Sequence, residues 1–109
     1  METAKPTHNY RYDDFDLDLA ISGERKLSIT IIDSGSKAEY YEKDVMLIHI
    51  GVNTLIKALL RDKQEIKVYF TRKNEAENDL LELRVTVDSP FLKPVEEIIV
   101  LKKIRDVSE

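Results

Sequence analysis

Residues 36–63, SKAEYYEKDVMLIHIGVNTLIKALLRDK, decide how the rest of the chain is read. Tyr41, Val45, Ile48, Val52, Leu55 and Leu59 recur at steps of four and three, the spacing that puts side chains on one face of a helix. Met46, Leu47, Ile50 and Ile56 widen the stripe, which predicts a helix buried through its middle. Ser36 and Glu39 stand at capping-box spacing, where the Ser hydroxyl accepts from an early helical amide and the Glu carboxylate from the cap amide. Glu39, Glu42 and Asp44 would then lie at the positive end of the helix dipole, with Arg61 and Lys63 at the negative end. The competing reading makes 45–50 a buried strand stopped by Gly51, with a shorter helix from Asn53, because a short apolar run has no decisive period. Gly51 would cost a helix interior about 1 kcal/mol relative to Ala. Cap and stripe agree with each other, and together they favour one long helix.

Both flanks alternate with period two, as half-buried strands do. Before the helix, Phe15, Leu17, Leu19 and Ile21 oppose Asp14, Asp16 and Asp18 within a strand over 10–21. Ser22-Gly23-Glu24-Arg25 supplies a turn, and Leu27, Ile29 and Ile31 resume the alternation. Pairing Leu17 with Ile31 and Leu19 with Ile29 keeps both apolar rows on one face, so the register is self-consistent. After the helix, Ile66, Val68 and Phe70 form one strand and Leu81, Leu83, Val85 and Val87 another, joined by a polar loop over 74–79. Pro90 and Pro94 stiffen the next connector. The last strand, 95–104, is apolar on both faces at 98–101, as a central strand is. The expected fold is therefore α+β: a five-stranded antiparallel sheet made of a hairpin, one long helix and a three-strand meander, with the helix packed on one face. It forms a single domain, 1–109, in which 1–8 and 105–109 are flexible tails.

Composition narrows the function classes. Charged residues make up 35% of the chain with mixed sign, and the net charge of −4 argues against general affinity for nucleic acid or anionic membranes. There is no cysteine, which excludes disulfides and thiolate chemistry. The N-terminal segment lacks the pattern of a secretory signal, and the longest apolar run, 45–50, is too short to span a bilayer. A cytoplasmic protein without membrane attachment is expected.

Asp13, Asp14, Asp16 and Asp18 form the most unusual local feature. Alternate carboxylates on a strand lie about 7 Å apart, too far for two of them to share one small cation. The run also lacks the glycine turn of a calcium loop. A solvated outer face explains it most simply, and an acidic stripe that docks on a basic partner explains it next. His8 and His49 have no nucleophile spaced beside them, and three dispersed glycines cannot build a phosphate loop. Lys67, Tyr69, Arg72 and Arg84 interleave cations with an aromatic ring, the pattern of a sheet face that holds single-stranded nucleic acid.

These features point to a small protein-interaction protein without enzymatic activity or cofactor: an adaptor, inhibitor or assembly factor. Its partner-binding residues would be Tyr10, Tyr12, Asp13, Asp14, Asp16 and Asp18, with the carboxylates steering and the rings supplying buried contact. One alternative is a phage or mobile-element inhibitor that mimics nucleic-acid charge. Another is a single-stranded nucleic-acid-binding module using Lys67, Tyr69, Arg72 and Arg84. A homodimer through the sheet face that the helix leaves uncovered is also expected.

Overall fold

Asp13 and Asp14 turn the chain back on itself, so the N-terminal alternation is two strands and not one. The computed structural model describes residues 7–75, 78–91 and 93–106. In it β1 (Thr7–Tyr12) and β2 (Phe15–Ile21) pair antiparallel, with Tyr12 opposite Phe15. Asp13 takes φ 54° in this tight turn, a left-handed conformation that Asp tolerates better than most residues. The next strand, β3 (Lys26–Asp33), pairs with β2 in the expected register, Leu17 opposite Ile31 and Leu19 opposite Ile29.

The decisive stretch is not one long helix. Residues Ala38–Met46 form a strand, β4, and the helix α1 is confined to Val52–Leu59. Ser36 caps nothing: its hydroxyl donates to Asp33 Oδ2 at 2.9 Å inside the β3–β4 turn, where Gly35 N–H also donates to Asp33 Oδ1 at 2.9 Å. The shorter-helix reading came nearer, since Gly51 does precede the helix, although the strand stops at Met46 and 47–51 is irregular. The strand's alternation is interrupted for a physical reason. A bulge sets Leu27 opposite Val45 but Ile29 opposite Glu42, leaving Lys43 and Asp44 against Ser28 alone. That extra residue flips the strand's parity. Buried hydrophobic positions fall at Ala38 and Tyr40, then at Leu47 and Ile50, whereas Ile48, a member of the expected helical stripe, is 72% exposed.

Three more strands follow: β5 (Ile66–Glu75), β6 (Asn78–Val87) and β7 (Val95–Asp106). All seven strands form one antiparallel sheet in the order β1-β2-β3-β4-β7-β6-β5, curled into a half-barrel. This replaces the five-stranded sheet. The doubly apolar β7 does lie inside the sheet, between β4 and β6. The expected tails are partly strand, since Thr7 and His8 belong to β1, and Arg105 and Asp106 to β7. The rest of both tails lies outside the described residues.

The curl makes one continuous core on the concave side. Leu17, Leu19, Leu27, Ile29, Ile31, Leu81, Leu83, Val85 and Leu101 are fully buried there. The helix adds Val52, Leu55, Ala58 and Leu59 and packs against both edge strands, β1 and β5. Aromatic rings bridge the seam: Phe15, at the start of β2, stacks on Phe70 of β5 with centroids 4.1 Å apart, and Tyr12 of β1 lies 5.8 Å from Phe70. A sheet curled this far covers its own apolar face, so one short helix is enough.

Candidate functional site

The acidic stripe and its tyrosines are placed on opposite sides of the sheet. Tyr10 and Tyr12 stand across from Leu17 and Phe15 and pack inward against the core. Asp16 and Asp18 point to the convex side, where Arg11 Nη1 donates to Asp16 at 3.2 Å and Asn9 Nδ2 to Asp18 at 2.8 Å. Asp13, in the turn, accepts from Arg61 Nη2 at 2.6 Å, and only the Asp14 carboxylate is without a partner among the described residues. No three His, Cys, Asp or Glu residues among those described come together as a metal site.

The Tyr and cation set divides as well. Lys67 and Tyr69 on β5 share the convex face with Arg84, which stands directly opposite Tyr69 on β6. Tyr69 is 49% exposed. Arg72 faces the concave rim instead, 3.8 Å from Asp33 Oδ2. Arg84 Nη2 donates to Glu82 at 3.2 Å. His8 and His49 are exposed, on β1 and in the loop before α1.

The edge of β5 is the feature that residue patterns alone could not reveal. Asp88 N–H donates to the Glu65 carbonyl at 2.8 Å, and this opposed pair fixes the phase of the antiparallel ladder. Alternate residues exchange bonds with the neighbour while those between them point away. The odd-numbered residues of β5 therefore bond β6. The N–H and C=O groups of Val68 and Phe70 point out of the sheet edge, toward β1. Strand β5 pairs with β6 alone, and no partner for these groups exists among the described residues.

Between the two edges runs an open groove of about 370 Å³ along Ile66, Lys67, Val68 and Tyr69, lined also by Tyr12 of β1, Arg61, and Lys63 and Gln64 just before β5. Arg61 is fixed there, its guanidinium 4.1 Å from the Tyr12 ring centroid as well as bonded to Asp13. The sequence pattern puts Arg61 and Lys63 at a helix end and gives Gln64 no role. Nothing local marks them as groove residues, because only the strand order brings them to this seam.

A second hollow, of about 310 Å³, opens toward the other end of β5 among Tyr40, Arg72, Asp79 and Lys103. Tyr40 is 3% exposed and its hydroxyl has no hydrogen-bond partner among the described residues. Burial raises its pKa, with Asp33 adding to the effect and Arg72 opposing it. The surrounding ions are already matched: Lys103 Nζ lies 2.8 Å from Asp106 and 3.5 Å from Asp79.

No protein-family model matches the chain, and no curated protein or solved structure matches it. Among the described residues no helix is long and apolar enough to cross a membrane.

Proposed function

We propose that this protein is a protein-interaction module, an adaptor, inhibitor or assembly factor of the cytoplasm, and that an extended segment of its partner adds to the free edge of β5. One observation carries the reading: a ten-residue strand is paired on one side only, and its edge at residues 66–69, with the main-chain groups of Val68 pointing outward, lines an open groove. Unpaired edges are templates for another strand, and each main-chain bond gained contributes about 1 kcal/mol net. The test has two parts. Amide exchange of the free protein should alternate, with Val68 and Phe70 fast and Lys67 and Tyr69 slow. A photo-cross-linker at Lys67 should trap the partner more efficiently than one at Asp16. Uniform protection along β5, or trapping at Asp16 instead, would defeat the proposal. The second outcome would favour docking on the acidic stripe, and with it the nucleic-acid-mimic variant.

A nucleic-acid-binding reading is supported by the convex cluster of Lys67, Tyr69 and Arg84. Gel shift with a single-stranded oligonucleotide separates it, because phosphate binding must weaken steeply with salt. A homodimer would use the convex side of β7, where Ile98 and Val100 are exposed. Sedimentation that detects only monomer at high concentration would remove it.

A further inference from the structure

We infer that the segment received by β5 is acidic, alternating carboxylate with apolar side chains. The inference rests on strand addition at β5 and names what that site selects. Groove chemistry supplies the choice. Three cations line it, Arg61, Lys63 and Lys67, and no carboxylate does, on a molecule whose net charge is −4. Asp62 and Glu65, close in sequence, do not line the groove. Arg61 is already held by Asp13, but Lys63 and Lys67 are exposed and have no ion-pair partner among the described residues. The surface thus presents local positive charge beside an open strand edge.

Strand geometry sets the alternation. Side chains of an added strand leave it on alternate faces. Those on the concave side meet Ile66 and Val68, which pack with the core, so they are apolar. Those on the convex side come beside Lys67 and Tyr69, with Lys63 at the end of the groove, so carboxylates are matched there and ammonium groups repelled. Exposed ion pairs are individually weak, and two of them together favour an acidic over a basic segment by about tenfold.

The probes are two synthetic peptides about as long as β5, one alternating valine with glutamate and the other valine with lysine. Each is titrated into the isotope-labelled full chain while backbone amide shifts are followed. The glutamate peptide should shift the amides of 66–70, slow exchange at Val68, and bind about tenfold tighter than the lysine peptide. That preference should vanish in about 1 M salt, where the screening length is about 3 Å. The double variant Lys63→Glu, Lys67→Glu should reverse it, and both positions are exposed, so the spectrum of the variant also verifies its fold. Equal binding of the two peptides at the same β5 amides would overturn the acidic preference and leave strand addition standing. Shifts that avoid β5, or no binding at all, would overturn both.

Discussion

Glu82 is a carboxylate on the convex face of β6 that is only 5% exposed, because its neighbours cover it. Lys73 Nζ lies 2.8 Å from one oxygen and Arg84 Nη2 3.2 Å from the other. The hydrogen bond from Lys73 lowers its pKa, burial works against that, and the charges of Lys73 and Arg84 lower it further. A group whose folded pKa is lowered contributes stability that is fully present above its ordinary value of 4.5 and is lost as pH falls through the folded value. Glu82→Gln should therefore cost about 2 kcal/mol in urea unfolding at neutral pH. The gap between variant and parent should shrink in acid, and an equal gap at both pH values would refute the assignment. Tyr40 carries the opposite sign. Its pKa is raised above 10.0, so the stability it contributes is present below that value and is lost as pH rises through the folded one. In an ultraviolet titration of tyrosinate, Tyr40→Phe should delete the last of the tyrosine transitions. Loss of an early transition instead would mean that the hydroxyl is not shielded.

At the scale of elements, what could be read from the sequence was what obeys a single period. The β2–β3 register followed from Leu17, Leu19, Ile29 and Ile31 because no residue interrupts either alternation. The β5–β6 pairing followed for the same reason. Strand β4 carries no unbroken alternation, because its bulge is one extra residue and one residue is enough to flip the parity. Likewise Tyr10 and Tyr12 were joined to the strand of Asp16 and Asp18, although a turn at Asp13 sends them to the other face. Pattern counting registers neither event, since both depend on a single backbone angle. Asp44 holds that angle in β4, with φ 54° and its N–H donating to Ser28 Oγ at 3.1 Å. Asp44→Val should destabilise by about 1–2 kcal/mol, since a branched side chain is strained in left-handed backbone. Asp44→Gly should change stability by no more than about 0.5 kcal/mol, because lost strain offsets gained chain entropy. Equal costs for the two variants would mean that the carboxylate, not the backbone, holds the bulge.

For the whole molecule, the property that matters is how far the sheet closes. The candidate groove exists because β1 and β5 approach without pairing, and that relation joins residues more than fifty positions apart in a strand order that no local pattern encodes. What holds the edges at this distance is side-chain contact: Phe15 on Phe70, Tyr12 beside both Phe70 and Arg61, and Arg61 on Asp13. A stacked pair contributes about 1 kcal/mol beyond its area, and truncating a fully buried ring costs about 3–5 kcal/mol, so these half-buried rings should cost less. If the stack sets the closure, Phe15→Ala and Phe70→Ala should each destabilise the fold, and the double variant should cost about 1 kcal/mol less than their sum. Additive costs would mean that the rings serve their own strands separately and that the seam is held elsewhere. Arg61→Ala provides the control. It removes an exposed ion pair and one cation–ring contact, together about 1 kcal/mol, and leaves the aromatic stack in place. It should therefore lower stability slightly and leave the Phe15–Phe70 coupling unchanged. A coupling that collapses in the Arg61→Ala background would instead make the helix end, through Arg61, the part that fixes the width of the groove.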